Sequence, residues 1–114
     1  MDIIEKAAEA LAPISAEGVP VQQGWYDEKL HKTHVTLYKL DTTPAASSDD
    51  DLEVVTEDVQ VTIFGPTDEV QLYERIRKLM TAYGFTWTAG GQDDTLDDGG
   101  VFMKPQRFSY TTEV

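Results

Sequence analysis

The sequence predicts an α/β two-layer sandwich, in which two helices pack on a mixed or antiparallel sheet of about five strands. Two segments, residues 2–12 and 67–83, repeat apolar side chains at the spacing of a helix. Other segments, residues 33–40, 55–64 and 101–112, alternate with a period of two, as strands do. Each helix offers one apolar stripe, which is buried by packing on a sheet. We therefore expect one domain over residues 1–114, with the element order α-β-β-β-α-β-β.

The first helix is predicted from its N-terminal signal and its apolar stripe. Asp2 can cap the helix, and Glu5 stands three residues later, as in a capping box. Pro13 cannot continue a helix, so we expect an end near Ala12. The stripe comprises Ile3, Ile4, Ala7, Ala8 and Leu11.

Three strands are predicted before the second helix. Residues 19–23 form a short one, and Pro20 places it at a sheet edge or at its own beginning, because proline donates no backbone hydrogen bond. Residues 33–40 form the second strand, without a sharply apolar side. Residues 41–51, with Pro44 and consecutive aspartates, read as a loop. Residues 55–64 form a long central strand.

The second helix has the clearest pattern in the chain. Thr67 is the expected cap, and Gly84 is the expected C-terminal stop. A fourth strand over residues 85–89 and an acidic loop over 90–100 follow. Pro105 predicts an edge or a bulge in the last strand. The helical stripe comprises Val70, Tyr73, Ile76, Leu79, Met80 and Tyr83.

Charge and composition exclude several classes of function. The net charge of −12 repels phosphate, which argues against ordinary binding to nucleic acid or to an anionic membrane. Cysteine is absent, and no apolar run reaches the length of a membrane span. An acid stands among the first residues, where a secretory leader needs positive charge. We expect a protein made in the cytoplasm.

No pattern in the chain predicts catalysis, a metal or a cofactor. The chain has two histidines, His31 and His34, and no serine at a sharp strand-to-helix turn. The acidic stretches at residues 49–51 and 90–100 depart in spacing from calcium-binding loops. Solvated loops are the simpler interpretation, and we predict a protein without enzymatic activity, bound metal or cofactor.

Two groups of residues are candidates for contacts with other proteins. Trp25 and Tyr26 stand in a polar loop, and exposed aromatic side chains favour protein interfaces. Arg75, Arg77 and Lys78 form a basic patch on the second helix of an acidic protein. The alternative for the bases is placement toward the C-terminal end of a helix, where positive charge suits the helix dipole.

Short motifs through the chain resemble the tail-completion proteins of long-tailed bacteriophages and prophages, the tail-terminator group at the head–tail junction. The sequence departs from the family in its last strand, where Phe102-Met103 replaces a frequent Tyr-His pair. The motifs are Val19-Pro20-Val21 after a helix, Ser48-Asp49-Asp50 before Val59-Gln60-Val61-Thr62-Ile63-Phe64, Tyr83-Gly84-Phe85 at a helix end, and Asp97-Asp98-Gly99-Gly100-Val101 running into Arg107-Phe108-Ser109-Tyr110-Thr111.

The resemblance implies a virion structural protein on an α/β sandwich fold. Such proteins form a ring, commonly of about six copies, on the head-proximal end of the tail. The implied partners are further copies of the chain, the tail-tube protein and the head-closure or connector protein. Acidic loops facing the lumen would repel genome DNA and let it slide. The lumen candidates are Asp49, Asp50, Asp51, Glu53, Asp93, Asp94, Asp97 and Asp98.

Two other functions stay open at this point. A head-closure or adaptor subunit of the same junction differs only in its partner. An acidic DNA mimic would inhibit a nucleic-acid enzyme, but the acids here cluster in loops instead of along one rigid face.

Overall fold

The chain folds as one mixed sheet with helices on one of its faces. The computed structural model describes residues 2–25, 27, 32–45, 54–90, 94–95 and 101–113. In chain order the elements are α1 (Ile3–Ala10), α2 (Ala12–Ala16), β1 (Val21–Gln23), β2 (His34–Ala45), β3 (Val54–Gly65), α3 (Val70–Tyr83), β4 (Thr86–Gly90), β5 (Asp94–Thr95) and β6 (Phe102–Glu113).

The strands are ordered β1-β2-β3-β6-β4, and the two-residue strand β5 pairs with β6. β1 runs parallel to β2, and the other pairs are antiparallel. The predicted α/β sandwich with a mixed sheet is therefore confirmed. The predicted element order is matched only roughly, since α2 and β5 were not expected.

The N-terminal helix begins as predicted and ends earlier. The Asp2 carboxylate accepts a hydrogen bond from the backbone N–H of Glu5 at 2.8 Å. α1 ends at Ala10, and Pro13 lies in the first turn of α2, where a helix needs no N–H donor. On the predicted stripe, Ala8 is exposed, and Ala10 is buried instead.

α3 begins later than predicted and ends where predicted. Thr67 is not its cap: the helix starts after Glu69, and the Thr67 hydroxyl donates to the Glu69 carboxylate at 2.6 Å. Asp68 and Glu69 therefore precede the helix. Gly84 ends it with a φ of 122°, a conformation that glycine adopts without steric cost.

Three prolines bear on the strand predictions. β1 is an edge strand and starts directly after Pro20, as predicted. β2 continues through Pro44 to Ala45, where a loop was predicted, because it pairs with β3 up to Val54. β6 lies inside the sheet, so the edge prediction from Pro105 is wrong for that strand. Pro105 falls between the residues of β6 that pair with β4 and those that pair with β5.

The core lies between the helices and the inner face of the sheet, the face that carries Val35, Val61 and Phe108. α3 contributes Ile76 and Met80, and the N-terminal helices contribute mainly small and aliphatic side chains. The buried hydrophobic residues of this core are Ile3, Ala7, Ala10, Leu11, Ile14, Val35, Leu37, Val59, Val61, Ile63, Ile76, Met80, Phe85 and Phe108.

The three long strands extend beyond the helices. We call residues 39–45, 54–58 and 109–113 the distal arm. Its residues 55–58 are only partly buried, in contrast to the following stretch of β3. The molecule measures 53 × 28 × 22 Å with a radius of gyration of 15.1 Å, above the value of about 13 Å for a globule of this length.

Candidate subunit interface

The outer face of the sheet, opposite the helices, is the most distinctive surface of the described protein. Tyr38, Gln60 and Arg107 lie side by side on it, in register across β2, β3 and β6. The strand registers assign these residues to the outer face: His34, Thr36, Tyr38, Asp58, Gln60, Thr62, Phe64, Met103, Pro105, Arg107 and Ser109.

Trp25, which follows β1, covers part of this face. Parallel neighbours need a crossover connection, which must pass over one side of the sheet. The Trp25 ring packs edge-on to Phe64, with ring centroids 5.3 Å apart, and to Tyr38, with centroids 6.4 Å apart. Phe64 is fully buried as a result, whereas Trp25 is 48% exposed and Tyr38 is 50% exposed.

The His34 ring contacts the backbone of Asp27 and Lys32, both of which lie between β1 and β2. It is 1% exposed and stacks on Phe64, with ring centroids 5.6 Å apart. Its Nδ1 lies 2.8 Å from the carbonyl oxygen of Lys32, and its Nε2 accepts the backbone N–H of Asp27 at 3.2 Å. A carbonyl can only accept, so the contact with Lys32 is a hydrogen bond donated by Nδ1.

The rest of the outer face is open and carries little charge. The Nε of Arg107 donates to the Gln60 side-chain oxygen at 3.3 Å. A depression of about 210 Å³ lies beside them, lined also by Ala89 and Pro105. On the part of this face formed by residues 34–38, 58–64 and 103–109, the ordinarily charged residues are Asp58 and Arg107, in a chain with 21 acids and 9 bases. Low charge around half-exposed aromatic rings is typical of the centre of a protein interface.

Arg75, one of the predicted basic residues, is engaged within the molecule. Its guanidinium binds Glu17 with both terminal nitrogens, one of them at 2.6 Å. The hydrogen bond from Arg75 lowers the pKa of the Glu17 carboxyl below its ordinary value, and the same bond raises the pKa of Arg75. Arg75 therefore ties α3 to the turn that follows α2.

Arg77 and Lys78 lie on the exposed side of the helical layer. The Arg77 guanidinium lies 4.2 Å from the centre of the Trp87 ring, a cation–π contact. Lys78 borders a groove of about 480 Å³ along α3, together with Val70, Gln71, Glu74 and Arg75. Val70 is 51% exposed there. The basic patch and Trp25 thus occupy opposite faces of the molecule and do not form one site.

Several predicted site residues lie outside the described part of the chain. They are Tyr26, Asp49, Asp50, Asp51, Asp93, Asp97 and Asp98, together with Glu53. Only the backbone of Asp94 is described, in β5, where it pairs with Met103.

The described residues contain no group of three or more His, Asp or Glu side chains that could hold a metal ion. No helix among them is long and apolar enough to cross a membrane.

The outer face was not predicted as a unit, because residues 33–40 show no sharply apolar side in the sequence. The pairing of Tyr38 with Gln60 and of Gln60 with Arg107 depends on strand registers that link residues distant in sequence.

A comparison with protein-family models finds no match, and a comparison with curated proteins also finds none.

Proposed function

We propose that this protein is a structural subunit without enzymatic activity, a tail terminator that caps a phage tail tube as a ring and joins it to the head connector. The observation that carries the assembly role is the outer face, with Trp25 and Tyr38 half exposed on a sheet surface of low charge. The motif resemblance supplies the tail as the place of assembly. The virion, at the head-proximal end of the tail, is the proposed location.

Ring closure requires that one patch of a subunit meet a different patch of the next. The two broad faces of this molecule provide unlike patches. The outer face presents Trp25 and Tyr38, and the helical face presents Val70 beside Lys78. Stacking the outer face of one copy on the helical face of the next gives a heterologous contact of the required kind.

The distal arm provides further surface for contacts between subunits. Among the described residues, β1 pairs with β2 only at residues 35–37, and β4 pairs with β6 no further than Ser109. The arm therefore has strand edges on both sides that the described part of the same chain does not cover. Such edges suit contacts with a neighbouring subunit or a tail-tube protein.

The acidic stretches at residues 49–53 and 93–98 fit the same role. In the proposed ring they face the lumen and repel the phosphates of DNA passing through. Replacement of Asp49, Asp50, Asp97 and Asp98 by Asn is expected to slow DNA ejection from assembled particles. Ejection at the normal rate from such particles would contradict the lumenal placement.

Binding to tail tubes tests the function directly. Purified protein mixed with tubes assembled from a phage tail-tube protein should bind at one end, seen by gold labelling in negative stain. The variant with Trp25→Ala and Tyr38→Ala should lose this binding. Phe102→Ser, at another partly exposed aromatic residue, is the matched control and should retain it. Labelling along the whole tube, or none with any tube protein, would contradict the proposal.

A further inference from the structure

Arg107 is fixed on the outer face by a short chain of side-chain hydrogen bonds. The amide nitrogen of Gln60 donates to the Thr62 hydroxyl at 3.1 Å, and the amide oxygen of Gln60 accepts the Nε–H of Arg107 at 3.3 Å. The two terminal nitrogens of this exposed guanidinium make no hydrogen bond or ion pair with a described residue. Arg107 is therefore held in place with both terminal nitrogens available to a carboxylate, which a guanidinium binds through two parallel hydrogen bonds.

Asp58 and an apolar hollow lie on opposite sides of Arg107. In the register of β3 and β6, Asp58 faces Ser109, two residues along β6 from Arg107, so the two charges are diagonal neighbours about 7 Å apart. In the other direction along β6, Pro105 and Ala89 line the depression of about 210 Å³. This part of the outer face thus presents an acid, a base and an apolar hollow in that order.

The groove on α3 presents the matching groups in the matching order. Lys78, Glu74 and Val70 recur every four residues and lie along one side of the helix, roughly 6 Å from one to the next. All three are exposed, Val70 at 51%. Within the described part of the chain, no ion pair is formed by either of these charged side chains, by Asp58 or by Arg107. Each surface therefore carries one acid and one base that lack an opposite charge there.

We infer that these two surfaces bind each other in a head-to-tail contact between copies of this chain. Arg107 of one copy pairs with Glu74 of the next, Asp58 pairs with Lys78, and Val70 enters the hollow beside Arg107. The inference rests on the proposed ring, in which the outer face meets the helical face, and it names the side chains that set the direction of α3. The reversed direction would place acid against acid and base against base, and like charges across an interface oppose binding.

Charge reversal tests the pairing of Arg107 with Glu74. In the full chain, Arg107→Glu alone and Glu74→Arg alone each place like charges in every head-to-tail contact. Each should weaken self-association at least about tenfold in sedimentation velocity. Glu5→Arg, which reverses an exposed acid on α1, is the matched control and should associate like the unsubstituted protein.

A mixture of the two reversed variants gives the sharpest result. An equimolar mixture of Arg107→Glu and Glu74→Arg should associate again, because each copy then meets the opposite charge on both of its neighbours. Native mass spectrometry should find the two variants in equal numbers within each oligomer.

A cysteine pair tests the same contact without changing a charge. Val70→Cys and Ala89→Cys, purified separately, should form a disulfide-linked heterodimer when mixed and oxidised, since the inference places Val70 in the hollow that Ala89 lines. Neither variant should form a linked dimer alone. This measurement also serves if a charge reversal prevents folding.

Four results would overturn the inference: association unchanged by both reversals, a mixture that does not recover, no link between the two cysteine variants, or an unsubstituted protein that stays monomeric at every concentration. Binding to the end of a tail tube is measured separately. End binding by the unsubstituted protein together with any of these results would remove this contact and leave the proposed function in place. Absence of both self-association and end binding would contradict the two proposals together.

Discussion

Phe64 is fully buried on the face of the sheet that carries no helix, because Trp25 and His34 pack on it. Phe64 is thus shielded from water by the Trp25 and His34 rings instead of by a second layer of secondary structure. The contrast with Tyr38, on the same face and half exposed, separates residues that stabilise the fold from residues that remain for a partner.

This contrast gives a prediction for two substitutions on one face. Phe64→Ala should lower the free energy of unfolding by about 3–5 kcal/mol, as for other fully buried aromatic side chains. Tyr38→Ala should change it by less than about 1 kcal/mol, because half of the ring is already in water. Urea denaturation of both variants checks the difference. Equal losses would show that Tyr38 is part of the packed structure.

Gly90 marks a close approach between β4 and α3. A Cβ at this position would meet the Tyr73 hydroxyl and would come within 3.1 Å of the Trp87 ring. Gly90→Ala should therefore destabilise the fold by about 1–3 kcal/mol. Tyr73→Phe removes the hydroxyl and should recover part of that loss in a double-mutant cycle.

Gly18→Ala is the control for this cycle. Gly18 has a φ of 96°, and a Cβ there would meet nothing within 4 Å. Its substitution should cost stability through backbone strain alone and should show no coupling to Tyr73→Phe. Coupling of similar size at both glycines would refute the steric explanation.

At the scale of residues, local signals were predictable and distant contacts were not. The Asp2 cap and the Gly84 stop depend on a few consecutive residues, and both were predicted correctly. The burial of Phe64 depends on Trp25 crossing over β3, which no short stretch of sequence encodes. The ring nitrogens of His34 acquire their roles through the same crossover.

At the scale of elements, α2 and α3 are joined by the ion pair of Glu17 and Arg75. The pKa of Glu17 is lowered from 4.5 by the Arg75 hydrogen bond. A lowered folded-state pKa means that the pair stabilises the fold above the unfolded pKa, and that this contribution is lost as pH falls through the folded pKa.

Thermal unfolding of Glu17→Gln tests this link. The variant should have a slightly lower Tm at pH 7, and the difference should shrink as the pH falls below the ordinary carboxyl pKa, because the carboxylate is then protonated. It should also shrink in about 1 M salt, because exposed ion pairs are screened. Glu74→Gln, an exposed acid on α3, is the matched control and should show no such pH-dependent difference. A difference in Tm that is constant with pH would exclude the ion pair as its cause.

The helices and long strands were predictable because each repeats a pattern over several turns or alternations. Errors fell at element ends. α1 stops before Pro13 because a second short helix begins there, and β2 continues past Asp41 because β3 offers it a partner. Pro105 suggested an edge strand, but β6 lies inside the sheet, because the missing N–H of Pro105 falls between the residues that pair with β4 and those that pair with β5. Pairing between distant strands decided these cases.

At the scale of the whole molecule, two unlike faces and a long arm distinguish this fold from a rounded globule of the same length. The outer face offers aromatic side chains with little charge, and the helical face offers Val70 and Lys78. A subunit with two different broad faces can bind its own copies in one direction around a ring.

The absence of cysteine makes this head-to-tail arrangement directly testable. Tyr38→Cys and Lys78→Cys, purified separately, should form a disulfide-linked heterodimer when mixed and oxidised. Tyr38→Cys alone should not form a linked dimer, because like faces do not meet in a heterologous ring. Efficient homodimers of Tyr38→Cys would indicate a two-fold contact instead.

Assembly into a closed ring is the central claim, and native mass spectrometry over a wide concentration range, with negative-stain imaging of any oligomer, tests it most directly. We predict a single closed species of about six subunits at high concentration or on added tail tubes, lost in the variant with Trp25→Ala and Tyr38→Ala. A monomer at every concentration that also leaves tail tubes unbound would contradict the account.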